Sequence, residues 1–262
     1  MVLLSKKYKY IFIHIPKTAG TTIKSSLPYD IKDSCFNNHN EDDEISNKLP
    51  RFLYDKNCFK NKKIRNLYHL TGKEILQIYP NINLNDYYIF TFVRNPYDRL
   101  YSTYLYTKYT VNRYFKLLVV AFVILFLIRE KYPIFKYLLI LFALYFHTII
   151  FLTIDLYLYD FNDFTKKNLK EMVRLFPQAY MPQYKYIEGV NLNFIGKQEN
   201  FDIDFNHIRN RFNIKKEIKT INISENFDTF YKYINKFTSE TINLVNEYYK
   251  KDFEKFGYEM IN

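Results

Sequence analysis

The chain has 262 residues, with 38 Lys and Arg against 27 Asp and Glu for a formal net charge of +11, and its composition is 48% hydrophobic and 20% aromatic. Its 27 Tyr and 25 Phe exclude an intrinsically disordered chain, and its 5 Gly exclude collagen-like or glycine-rich low-complexity material. The length suits one large domain or two small ones, and the basic balance suits nucleic acid, an anionic membrane, or acidic small molecules and polymers as partners.

Residues 1–9 carry an apolar stub of three residues before Lys6 and Lys7, too short for a signal-peptide core or an N-terminal anchor. Tyr10 to Ile15 reads as a buried strand, because nearly every position is apolar and β-prone. Residues 36–48 are polar and acidic, residues 56–66 are basic, and both read as surface loops. Tyr87 to Val93 is a second near-continuous apolar run and a second buried strand. Pro96 opens a helix behind it, with Asn95 as the cap. Leu192 to Ile195 is a third short strand, ended by Gly196. From about 227 to 253 the spacing of Ile242, Val245, Tyr249 and Phe253 predicts a helix that Gly257 stops. Strands followed directly by helices predict an α/β fold with a parallel sheet.

One region departs from this pattern. Leu117 to Ile128 is an unbroken apolar run of twelve, and Tyr137 to Ile154 runs for eighteen with one His. A helix that spans a bilayer needs roughly 17–25 apolar residues, so the second run qualifies and the first is short. The segment 114–159 is therefore expected to form an inserted apolar helical hairpin. Residues 117–154 are expected to make the chain membrane-associated, without a signal peptide. A pair of buried core helices, in a cytoplasmic soluble protein, is the alternative.

The strongest chemical signal is Ile11 to Thr22, IFIHIPKTAGTT. A strand ends at Pro16, a short loop holds Lys17, Thr18, Ala19 and Gly20, and Thr21 and Thr22 open a helix. Such a turn aims backbone N–H groups at one point, with Lys17 as a point charge, and makes an anion cradle. It is not the GxxxxGK[ST] loop, since the first glycine is missing and the lysine precedes Gly20. The second signal is Thr91 to Tyr106, TFVRNPYDRLYSTYLY. Arg94 leaves the second strand at its carboxyl end, where its guanidinium can fork onto a phosphate, and Ser102 adds a hydroxyl two turns into the helix. Two anion sites at two strand ends imply a ligand with two separated phosphate-like groups. Asp98 and Arg99 are expected to form a local ion pair at the helix start.

Together these two segments resemble the nucleotide-binding motifs of carbohydrate sulfotransferases, the group that includes heparan sulfate 2-O- and chondroitin sulfotransferases. PQYKYI (182–187), FIGKQENFDIDF (194–205) and YYKKDFEKFGY (248–258) extend the resemblance, which covers 8–109 and about 161–258. It implies a single sulfotransferase domain over 1–262 and a P-loop-like parallel sheet flanked by helices. The implied enzyme transfers a sulfuryl group from 3′-phosphoadenosine 5′-phosphosulfate (PAPS) to a carbohydrate hydroxyl, without a metal. Lys17, Thr18, Ala19, Gly20, Thr21 and Thr22 would bind the 5′-phosphosulfate, and Arg94 with Ser102 the 3′-phosphate. Lys17 also assists the leaving phosphate, while His69 in NLYHLTGKEI is the expected base, with Glu74 in reserve because some relatives use a glutamate. An anionic glycan is an attractive acceptor for so basic a chain. The alternatives are an ATP-dependent phosphotransferase on a P-loop-like fold and a catalytically dead structural protein on the same one.

Other signals are weaker. His14 is expected to be a hydrogen-bonded core histidine, and Asp202–Ile203–Asp204 a solvent-facing pair rather than a metal-binding DxD triplet. Cys35, His39 and Cys58 lack zinc-finger spacing, and the basic stretches 56–66 and 209–219 carry no nucleic-acid recognition motif. Gln198 stands where the resembled family often has an aromatic residue, which puts the local packing in question.

Overall fold

A computed structural model of the chain describes residues 3–28, 69–110, 113, 155, 159–215 and 233–262. The described strands form one four-stranded sheet in the order β1 (Leu3–Ser5), β2 (Tyr10–Ile13), β3 (Tyr88–Val93) and β4 (Phe194–Lys197). β1 runs antiparallel to β2, while β2, β3 and β4 are parallel. The N-terminal stub is thus a strand of its own, with Leu3 opposite Phe12. The helices in chain order are α1 (Gly20–Ser26), α2 (Gly72–Ile78), α3 (residues 96–110), α4 (Phe161–Leu175), α5 (Pro177–Tyr180), α6 (Phe201–Arg211), α7 (Ser239–Tyr248) and α8 (Lys250–Phe256).

Alternation along the central strands divides the core into two layers. Ile11, Ile13, Ile89 and Val93 face a cluster built with Tyr97, Phe164 and Phe253 from α3, α4 and α8. Tyr10, Phe12, Phe90 and Phe92 face the opposite way, onto Ile23 of α1 and Phe205 and Ile208 of α6. Both faces of the sheet are therefore covered, as parallel strands require. Asn95 begins α3 as expected, its side-chain oxygen accepting from the Tyr97 N–H at 3.0 Å. The single C-terminal helix expected from periodicity is two helices that meet at Tyr249, and Gly257 ends the second in the left-handed region.

Two expectations need correction. Gly196 lies inside β4 opposite Phe92 rather than at its end, because the ladder with β3 continues to Lys197. The aromatic ring of Phe92 fills the place where a side chain at 196 would start. The membrane-associated placement is also overturned: among the described residues no helix is long and apolar enough to cross a membrane. The 15 residues of α4 reach only about 22 Å against a hydrocarbon core of ~30 Å, and they include Asn162, Asp163 and Lys166. An apolar run reports exclusion from water, not which apolar partner excludes it. The expected hairpin itself, 114–159, lies outside the described residues apart from Asp155 and Tyr159. Replacing Gly196 with Ala should cost about 1–3 kcal/mol in urea unfolding through this crowding, and an unchanged midpoint would show that the Phe92 ring yields freely.

Candidate functional site

β2 and β3 are neighbouring parallel strands, so the chain segments that follow them emerge at the same edge of the sheet. After β2 the backbone turns sharply, and Lys17 and Ala19 both adopt positive φ, 68° and 59°. Such left-handed non-glycine positions cost of order 1–3 kcal/mol each and persist where the surroundings enforce them. The Thr18 hydroxyl supplies part of that enforcement by donating to the Ile15 carbonyl at 2.8 Å, and the residue is fully buried. Its hydroxyl is thus committed inside the loop. Ala19 caps α1 without a side-chain acceptor, so no protein group closes off the first amides from that position. Gly20 is required by packing, since a Cβ there would land on the His14 ring. Thr21 is exposed and Thr22 buried.

Lys17 and Arg94 are the cations of this edge that follow β2 and β3, with the buried Arg99 behind them. Arg94 is 7% exposed and its Nη1 donates to the Lys17 carbonyl at 3.5 Å. Neither side chain pairs with a carboxylate among the described residues. Each rests instead against a tyrosine: Lys17 Nζ lies 4.5 Å from the centre of the Tyr106 ring, and the Arg94 guanidinium 6.0 Å from that of Tyr233. Burial, followed by the positive charge of Arg94, lowers the Lys17 ammonium to a pKa of about 8. By contrast Lys73, Lys166, Lys167 and Lys250 all have carboxylate partners at the surface. Ser102 is half-buried on α3, one turn before Tyr106.

The sequence reading missed how Arg94 is held. The Gln183 side chain clamps its main chain from both sides, accepting from Arg94 N–H at 3.0 Å and donating to its carbonyl at 2.8 Å. Gln183 is held in turn by Asp252, whose carboxylate accepts from the Gln183 and Tyr184 N–H groups at 2.7 and 2.8 Å. Glu199 accepts from the next amide, Asn95 N–H, at 2.6 Å and from the Tyr258 hydroxyl at 2.9 Å. Arg99 turns away from Asp98, contrary to the expected ion pair. It donates to the carbonyls of Pro16 and Ala179 at 3.2 and 3.0 Å, tying α3 to the Lys17 loop. Asp98 accepts from Tyr233 N–H at 3.2 Å. Gln183, Glu199 and Asp252 all lie in segments that carried the resemblance, but no local pattern assigned them a role.

The histidines are adjacent. The rings of His14 and His69 are 4.6 Å apart, and His69 Nδ1 lies 3.1 Å from the His14 carbonyl. A carbonyl only accepts, so Nδ1 carries the proton and Nε2 keeps its lone pair. Burial lowers the His69 pKa to about 3 and holds His14 well below the usual range as well. The Glu74 carboxylate closes a capping box on α2, bonded to the Thr71 N–H and hydroxyl at 2.7 and 2.9 Å. Asp202 is exposed, and Asp204 accepts from Lys197 N–H at 2.6 Å. Among the described residues no group of three or more His, Cys, Asp or Glu is placed to hold a metal ion. Cys35, His39, Cys58 and the basic stretch 56–66 lie outside them. The Gln198 side-chain oxygen is buried with no partner among the described residues, in keeping with its departure from the resembled pattern. A cavity of about 710 Å³ runs along α1 from Thr21 past Lys24 and Ser25 to Pro28, facing Phe212 and Ile214, and neither Lys17 nor Arg94 lines it.

Comparison with known proteins gives one match: the model of the sulfotransferase family covers residues 1–259. No curated protein and no solved structure matches the chain.

Two outcomes follow from the site. Gln183→Leu keeps the volume but strands the Arg94 N–H and carbonyl, at about 1–3 kcal/mol for each orphaned group. Urea unfolding should show the loss, and a change under ~0.5 kcal/mol would mean that the clamp is not structural. Lys17→Met should stabilise the protein at pH 7 by ~1 kcal/mol or more. The folded state then no longer carries a charged lysine whose pKa lies below its unfolded value. The gain should shrink as pH rises from about 8 toward 10.5, where the lysine is neutral in both states. A gain independent of pH would contradict the burial argument.

Proposed function

Since the chain belongs to the sulfotransferase family, we propose that it moves a sulfuryl group from PAPS to a hydroxyl of a carbohydrate acceptor by in-line displacement. One observation above all supports this: a buried Arg94 and a half-buried Lys17 meet at neighbouring strand ends with no carboxylate paired to either among the described residues. Like charges held close together favour an anion as their ligand. Because they reach the site from different strands, they suit two separate phosphate groups better than one.

The residues present fit this donor. Lys17 and the loop amides of Thr18 to Thr22 would hold the 5′-phosphosulfate, and Arg94 and Ser102 the 3′-phosphate. When bound, PAPS supplies the sulfuryl group and a phosphate leaving group. In transfer, the bond from acceptor oxygen to sulfur forms as the bond from sulfur to the bridging phosphate oxygen breaks. Lys17 stabilises the charge that collects on that phosphate. His69 Nε2 takes the hydroxyl proton, its tautomer fixed by the bond from Nδ1 to the His14 carbonyl. A base with a pKa of about 3 is weak. Donor phosphates nearby favour imidazolium and raise it. His69 is preferred over Glu74 because the glutamate is already engaged at the start of α2. The basic surface suits an anionic glycan as acceptor.

The pH dependence of kcat/KM for PAPS tests this assignment. Activity should decline above about pH 8 as free Lys17 loses its proton, and Lys17→Arg should move that limb to higher pH. His69→Ala should lower kcat by about 10²–10⁴-fold with folding intact. Full activity in His69→Ala would remove the base, and a profile flat to pH 10 in the wild type would remove Lys17.

A further inference from the structure

We propose that Tyr106 is a positioning residue of the phosphate loop, whose ring holds the Lys17 ammonium and gives it up to an incoming anion. The proposal deepens the nucleotide reading above and rests on it for the identity of that anion.

Lys17 is engaged through both its main chain and its side chain. Its carbonyl accepts from Arg94, and its ammonium lies 4.5 Å from the centre of the Tyr106 ring, with no carboxylate partner among the described residues. A lysine on a flexible four-carbon stem, repelled by a neighbouring guanidinium, would otherwise swing toward water. An aromatic face attracts the cation through its quadrupole but carries no net charge. It therefore fixes the position of the ammonium without neutralising it. A carboxylate in the same place would make a stronger bond and compete with every anionic ligand.

The position of Tyr106 on α3 makes the exchange feasible. Tyr106 follows Ser102 by one helical turn, so both lie on one face of the helix. Tyr106 is 55% exposed. Moving Lys17 from ring to phosphate swaps a weak contact for a charge-assisted hydrogen bond. The Tyr106 face is then free beside the transfer point, on the side open to solvent, where an acceptor must approach. Tyr233 stands to Arg94 in a similar but longer relation, at 6.0 Å.

The chain contains no tryptophan, so Tyr106→Trp creates a single emitter at this position and keeps an aromatic face for Lys17. The first measurement needs no ligand. Among the described residues the groups that face the ammonium are Arg94 at the end of β3 and the ring itself. Emission of Tyr106→Trp should change with pH around a midpoint near 8, and the change should vanish in Tyr106→Trp combined with Lys17→Met. The same titration in both variants would overturn the contact. The second measurement adds adenosine 3′,5′-bisphosphate at pH 7, with binding followed separately by calorimetry. On binding, emission of the single variant should move to the value of the Lys17→Met combination. Binding without that movement would overturn the exchange. Absence of calorimetric binding to the wild type would instead sink the nucleotide reading and the exchange with it, while the ligand-free titration still decides the contact on its own.

Discussion

The site depends on keeping two cations close together without neutralising either. Lys17 and Arg94 repel each other across a short distance, and burial adds to the cost. The usual remedy, a carboxylate for each, would fill the place proposed for the ligand. The fold avoids it by directing nearby carboxylates to backbone amides. Asp252 takes the Gln183 and Tyr184 N–H groups, Glu199 takes Asn95, Asp98 takes Tyr233 and Asp204 takes Lys197. Each bond stabilises the frame and leaves the cations to be steadied by neutral groups: the Gln183 amide on the Arg94 main chain, and tyrosine rings on the two side chains.

This arrangement links distant parts of the chain to one edge of the sheet. Arg99 joins α3 to the Lys17 loop through the Pro16 carbonyl and reaches Ala179 with its other nitrogen. Asp252, on the last helix, reaches Arg94 through Gln183. Burial pushes the Asp252 carboxyl up, while the amides of Tyr184 and Gln183 and the Arg99 charge pull it down. The C-terminal helices are thus part of the support for Arg94 and the Lys17 loop, although they contribute neither cation.

Much of this edge was legible in the sequence. The runs at 10–13 and 88–93 are buried on both faces, so nearly every residue is apolar, and the cations stand out as abrupt changes at the strand ends. What was not legible depends on contacts far apart in sequence. Gln183 meets Arg94 across 89 positions and Glu199 meets Asn95 across 104, and neither leaves a local period. Arg99 beside Asp98 looked like an ion pair because sequence neighbours suggest one, whereas the helix aims the two side chains at different elements. Gly196 reads as a strand end by residue type, but its small size serves the Phe92 ring inside the ladder. The +11 charge was the least specific signal. Most surface lysines with partners make exposed pairs worth little, and the informative charge is confined to Lys17 and Arg94.

The central claim is that these two residues serve two different phosphates. Calorimetry with adenosine 3′,5′-bisphosphate and adenosine 5′-monophosphate, on the wild type and on Arg94→Ala, isolates it. The account predicts that the wild type prefers the bisphosphate by about tenfold or more, as for a charge-assisted contact of ~1.5–3 kcal/mol. It predicts that Arg94→Ala binds both ligands alike. A preference for the bisphosphate that survives in Arg94→Ala would contradict it.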